Sequence, residues 1–309
     1  MNIGVPQGSI LGPLLFIIYI NDIVNATNQL SFVLYADDTT VYTSSSNIDE
    51  AIVTMNQGLI NIANWFDSNK LTLNVDKTQL MMLSRRDTFR PQTVVSLKGK
   101  QLERVRETKF LGVILDEQLN WKSHIKMITS KISKSCGIIY RIRRCLTNEA
   151  KKLLYYSLIH PYIAYCINVW SSTYQTHIRP MILGQKRVLR ALFAYQRRAQ
   201  TAQIFLTYEI LPIDELIRYS ASILAHKIIN QTIAIDDFVI PNNIHYNLRG
   251  NGDLRLPTNT RTQTQLFVRT RLVKVWNSLP YNIRVTQNIC TFKNRLKREM
   301  LAKLERDNT

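Results

Sequence analysis

The apolar pattern changes near Asn120, and that change constrains the fold more than any other feature of the chain. Before it lie short runs of β-branched and aromatic residues divided by turn-forming residues, with one long amphipathic stretch among them. Beyond it the spacing becomes helical and the side chains basic. Residues 121–144, 149–165, 179–194 and 213–230 read as helices, with Pro161 and Pro180 close to helix boundaries, where they shift or bend those spans. Residues 241–265 are rich in asparagine, glycine and threonine and read as a linker, and a last basic helix over 291–304 follows a turn at Trp276-Asn-Ser-Leu-Pro280. Strands first and helices afterwards point to an α+β chain. With 309 residues and 45% apolar content it can bury cores for about two domains, which excludes the disordered and fibrous classes.

Within the first part, residues 4–13 form a glycine- and proline-punctuated loop, and the apolar run 10–20 reads as a buried helix. Residues 31–35 and 39–43 are β-rich and flank Ala36-Asp37-Asp38, which predicts a tight hairpin carrying both carboxylates at its tip. Ser46 or Asn47 can cap the next helix, with Asp49 and Glu50 facing the positive end of its dipole. Ile48, Ile52, Met55, Leu59, Ile62, Ala63 and Phe66 then share one face of that helix. Further strands are predicted over 78–84, 94–97 and 110–115, with a turn at Lys98-Gly99-Lys100.

The net charge of +18 is unevenly spread. Residues 1–84 hold two basic and seven acidic side chains, whereas 85–309 hold 38 basic and 15 acidic ones. An acidic block joined to a long basic one fits metal chemistry at one end and polyanion binding over the rest, the plainer alternative being a solvated basic surface. Cys136, Cys145, Cys166 and Cys290 show no metal-ligand spacing and read as reduced thiols of an intracellular protein. The apolar run at 10–20 is too short to cross a bilayer, so no membrane partner is expected.

Adjacent aspartates held out from a rigid turn can ligate a hard divalent cation, although an Asp-Asp pair in a turn is more often plain turn chemistry. The neighbours decide. Tyr35-Ala36-Asp37-Asp38 between two β runs resembles motif C of the reverse transcriptases of non-LTR, LINE-type, jockey-like retrotransposons, and Gly4-Val5-Pro6-Gln7-Gly8-Ser9-Ile10-Leu11-Gly12-Pro13 resembles their motif B. Trp65-Phe66, Asn69-Lys70-Leu71 and Asn74-Val75-Asp76-Lys77-Thr78 are similar to motif D, and Phe110-Leu111-Gly112-Val113 to motif E, the primer grip.

The resemblance implies RNA-directed DNA polymerase chemistry: addition of deoxynucleoside triphosphates to a DNA primer on an RNA template by two-metal phosphoryl transfer with magnesium (Mg2+). It places Gln7 and Gly8 near the incoming nucleotide, makes Asp37 a metal ligand with Asp38 as its acidic neighbour, and makes Lys77 a candidate proton donor to pyrophosphate. By its own chemistry Lys77 reads equally as a phosphate charge partner or a solvated lysine. Phe110, Leu111, Gly112 and Val113 would support the primer end, or form an ordinary buried strand. Lys122, Lys126, Lys131, Lys134, Arg141, Arg143 and Arg144, with Tyr140 among them, would track a template–primer backbone.

The expected architecture is a partial antiparallel polymerase palm over 1–118, a helical thumb-like region over 119–235 and a loop-rich basic region over 236–309. Gly4 follows Met1 by three residues, so the fingers and motif A, with its metal-binding aspartate, are not expected within these 309 residues. Asp22 has no motif A surroundings. On that expectation the palm sheet lacks a central strand, the chain by itself is inactive, and a second chain could supply the fingers. The competing expectation is a non-catalytic nucleic-acid-binding remnant. A nucleic-acid enzyme of this kind is expected in the cytoplasm, the nucleus or both.

Overall fold

The computed structural model describes residues 8–84, 94–233, 254 and 268–308, and within them the chain is α+β. It divides into two compact units, Met1–Thr108 with Asp116–Leu119, and Lys109–Leu115 with Asn120–Thr309.

In the first unit, helix α1 (Leu11–Ile20) leads through a 3-10 turn (Asn21–Ala26) to strands β1 (Ser31–Tyr35) and β2 (Asp38–Tyr42). Helix α2 (Ile48–Ser68) follows. Asn47 caps it, its side chain accepting from the Asp49 N–H. The predicted face is the one that is buried: Ile52, Leu59, Ile62 and Ala63 join Ile20, Ile23, Leu30, Val95, Leu97 and Leu102 in one core. One polar residue of α2 is recruited as well. Asn56 donates from Nδ2 to the Val94 carbonyl and accepts the Ser96 N–H at Oδ1, each at 2.9 Å, as a neighbouring strand would.

Among the described residues the strands form two-stranded pairs rather than one antiparallel sheet. β1 and β2 are antiparallel, with Tyr35 opposite Asp38. Strand β3 (Gln79–Leu80) runs parallel to β6 (Glu103–Arg104), and β4 (Ser96–Leu97) is antiparallel to β5 (Lys100–Gln101) around Lys98 and Gly99. Strand β7 (Glu107–Phe110) pairs with β8 (Val113–Asp116). The strand predicted over 78–84 thus shrinks to two residues, and 94–97 likewise. Residues 110–115 are not one strand: Leu111 and Gly112 reverse the chain, with φ of 44° and 82°, as a two-residue hairpin requires.

A second correction concerns α1. It is a helix, but only Gly12 and Ile20 are buried. Leu14, Leu15, Ile17 and Ile18 are between 49% and 66% exposed. A helix apolar on every side is normally covered on every side, and the described residues cover only part of this one.

The second unit is helical: α3 (Lys122–Ile142), α4 (Asn148–Leu158), α5 (His160–Ala164), α6 (Ile167–Trp170), α7 (Gln175–Leu192), α8 (Ala202–Thr207), α9 (Ile213–Ile229), α10 (Val268–Asn277), α11 (Tyr281–Arg284) and α12 (Ile289–Arg306). Long α3 packs along α7, and α9 packs on α10 and α12. Trp170, Tyr155, Phe292, Ile132, Met181 and Leu189 are fully buried in its core. The helix predicted over 149–165 is two, broken at Ile159 before Pro161. Pro180, expected near a boundary, lies inside α7. Leu272, Trp276, Phe292, Leu296 and Met300 share the core built by α3, α7 and α9. The linker predicted over 241–265 lies outside the described residues except for Leu254. No helix among the described residues is long and apolar enough to cross a membrane, and the four cysteines are free thiols.

Candidate active site and nucleic-acid interface

The β1–β2 hairpin turns through Ala36 and Asp37. Ala36 sits at φ 51°, in the left-handed region that costs a non-glycine residue about 1 kcal/mol. The ladder pays for that strain by closing at the pair Tyr35–Asp38, which leaves Asp37 at the tip and makes Asp38 the first strand residue. Phe32, Leu34 and Val41 turn inward and anchor the strands on the core of the first unit, while Val33, Tyr35 and Tyr42 stay exposed.

Both carboxylates are exposed, and neither forms a side-chain hydrogen bond or ion pair among the described residues. Two adjacent, uncompensated carboxylates suit a hard divalent cation, which takes oxygen ligands. No group of three histidine, cysteine, aspartate or glutamate side chains among the described residues could hold a metal.

Of the pair expected beside the nucleotide, Gln7 lies outside the described residues. Gly8 has φ 89° and open space where a side chain would stand, the geometry that lets a ligand approach backbone closely. Lys77 ends a 3-10 turn (Val75–Lys77) capped by Asn74, whose side chain accepts the Lys77 N–H at 3.2 Å. Its ammonium is exposed, whereas neighbouring Asp76 pairs with Lys100. No hydrogen bond or ion pair joins Lys77 to Asp37 or Asp38 among the described residues.

In the second unit, Leu111 and Gly112 form the turn of the motif E stretch, and Val113 enters the core. The hydroxyl of Tyr165 donates to the Leu111 carbonyl at 2.6 Å, and the Ile114 N–H donates to His124 Nδ1 at 3.2 Å. The second contact requires a neutral His124, and burial, aided by Lys131, lowers its pKa. Neither contact has a local sequence signal, because the partners lie 54 and 10 residues away.

Helix α3 buries His124, Ile125, Ile128, Ile132 and Ile139 and exposes Lys122, Lys126, Lys131, Lys134 and Arg141. At 3.6 residues per turn, Lys122 and Lys131 lie about 180° apart, so these cations fan over the exposed half of the helix rather than forming one row. Lys131 Nζ stands 5.0 Å from the Tyr162 ring centroid, and Arg143 3.6 Å from that of Tyr140. Arg143 and exposed Arg144 belong to a 3-10 turn (Arg143–Cys145) after the helix.

The sequence model of the reverse transcriptase (RNA-dependent DNA polymerase) family matches residues 2–115. The chain is 28% identical to the RNA-directed DNA polymerase from mobile element jockey of Drosophila funebris over 226 residues, which are 70% of this chain and 24% of that protein. It is 28% identical to the probable RNA-directed DNA polymerase from transposon BS of Drosophila melanogaster over 203 residues, 62% and 22% of the two chains. With a Pol polyprotein from type-1 retrotransposable element R1 2 of Nasonia vitripennis it shares 24% over 176 residues, 54% and 43% of the two chains. The chain thus spans about a quarter of the length of the first two relatives. No solved structure matches it.

Proposed function

We propose that the chain is the palm-to-thumb part of an RNA-directed DNA polymerase, because residues 2–115 match the reverse transcriptase family model and the chain is similar to polymerases of jockey-like and other non-LTR retrotransposons. The observation that carries this reading is the hairpin that holds Asp37 and Asp38 unpaired at a strained turn inside the family match. Strained backbone concentrates at sites of function.

In this reading Asp37, with Asp38 beside it, would hold magnesium, which would supply charge stabilisation to nucleotidyl transfer. Gly8, with Gln7, lies against the incoming deoxynucleotide. Lys77 gives its proton to the leaving pyrophosphate oxygen. Phe110 to Val113 support the primer terminus, and the cations of α3 hold the RNA–DNA duplex by its phosphates, through contacts that carry no sequence information. Residues 1–118 act as the palm, 119–235 as the thumb and 236–309 as its basic extension. The place of action is the cytoplasm, the nucleus or both, where template RNA is found.

Exposed Leu14, Leu15, Ile17 and Ile18 of α1, with Val33, Tyr35 and Tyr42 of the hairpin, support one further element of this reading. Side chains of this kind are depleted from surfaces that face water alone. A covering polypeptide, from a longer protein or a second chain, would bury them and could bring the remaining metal ligand.

The test is RNA-templated primer extension with magnesium and deoxynucleotides. Incorporation that depends on Asp37 supports the reading, and a chain that neither incorporates nucleotides nor binds the duplex refutes it.

A further inference from the structure

Leu111 and Gly112 both adopt left-handed backbone, and for leucine that shape needs an external support. Its support comes from Tyr165. The hydroxyl donates to the Leu111 carbonyl at 2.6 Å, and the ring lies 3.4 Å from where a Cβ on Gly112 would stand.

Tyr165 is itself fixed from the core outward. It closes α5, donating its N–H to the Pro161 carbonyl at 3.0 Å. Its own carbonyl accepts Nε1–H of fully buried Trp170 at 2.9 Å. Two hydrogen bonds therefore connect the packed core to the turn through one side chain. Tyr165 is nevertheless 51% exposed, so core packing alone does not account for its placement. Three residues earlier on the same helix, exposed Tyr162 carries Lys131 over its face. Aromatic faces with cations beside them are what a single-stranded or terminal base stacks on.

We propose that Tyr165 is the positioning residue for the primer end: by holding the Leu111 carbonyl it fixes the Leu111–Gly112 turn against which the primer terminus rests. The inference depends on the polymerase reading, and the following experiment separates the two.

The full chain is bound to an RNA template annealed to a DNA primer whose terminal 3′ nucleotide is 4-thiothymidine, then irradiated, and cross-linked peptides are mapped. Tyr165→Phe keeps the ring and removes only the hydroxyl. Its cross-linking to residues 110–113 should fall about fivefold, equivalent to one net hydrogen bond of about 1 kcal/mol. Duplex affinity by fluorescence anisotropy should not change, and the thermal midpoint should fall by no more than the few degrees that about 1 kcal/mol represents. Gly112→Ala puts a Cβ on left-handed backbone at φ 82° and should distort the turn itself, lowering the cross-link together with the thermal midpoint. Undiminished cross-linking in either variant overturns the inference, as does a Tyr165→Phe loss that comes with a larger fall in the thermal midpoint. If the unsubstituted chain binds the duplex but never cross-links at 110–113, the polymerase reading of this turn fails, and the inference with it.

Discussion

Replacing Gln185 by leucine should destabilise the helical unit far more than an isosteric exchange on its surface. Gln185 is fully buried on α7 and joins three elements. Nε2 donates to the Tyr155 hydroxyl at 2.8 Å and to the Leu211 carbonyl at 3.0 Å, and Oε1 accepts the Ile213 N–H at 3.1 Å. That N–H is the first of α9, a donor with no partner inside its own helix. Burial pushes the Tyr155 phenol well above its ordinary pKa, so it stays a neutral hydroxyl. Leucine would leave three buried polar atoms without this partner, at about 1–3 kcal/mol each, offset in part because the amide need no longer be desolvated. A net loss of about 3 kcal/mol follows. Tyr155→Phe removes a single acceptor and should cost about 1 kcal/mol. In the Gln185→Leu background it should cost almost nothing, because its partner is already gone. Urea unfolding followed by far-ultraviolet circular dichroism measures all four species. A Gln185→Leu loss under about 1 kcal/mol, or full additivity with Tyr155→Phe, would refute the reasoning.

Acid should weaken the same unit. Burial lowers the pKa of His124, with help from Lys131, and that of His160, with help from Lys297. Their folded values lie below the ordinary 6.5, so their stability contribution is complete above that pH and is lost as the pH falls through the folded values. A His124→Asn/His160→Asn chain should lose less stability between about pH 7 and pH 5 than its parent in parallel denaturation curves. On the nucleic-acid side, Lys122→Gln/Lys126→Gln/Lys134→Gln should flatten the slope of log affinity against log salt by about 2 to 3. Anisotropy titrations over a salt series measure it, and an unchanged slope would remove α3 from the interface.

Features set by local spacing were legible in the sequence. The α2 stripe, its cap at Asn47, the hairpin at Asp37 and the turn at Lys98-Gly99 follow from periods of 3.6 and 2 and from turn chemistry. Features set by distant contacts were not. Tyr165 meets Leu111 across 54 residues and Gln185 meets Tyr155 across 30, and neither residue type announces such a bond. Arg271 carries no local sign of burial in the sequence. Yet it donates to the Ser171 hydroxyl at 2.7 Å and to the Asn168 carbonyl, and burial lowers its pKa to about 10. α1 misled for the opposite reason: composition says what a helix would bury, not whether the described residues cover it. Short helices such as α8 and α11 gave too few residues for a period to show.

The central claim is that Asp37 and Asp38 are the catalytic carboxylates of an RNA-directed DNA polymerase. Primer extension on an RNA template, with magnesium and deoxynucleotides, compares the chain with its Asp37→Asn/Asp38→Asn variant, alone and with the part of the jockey relative outside the matched region supplied in trans. The account predicts incorporation in the supplemented reaction, its loss in the variant, and equal duplex binding by both chains. Equal incorporation by the variant would contradict it, as would none from the unsubstituted chain when supplemented.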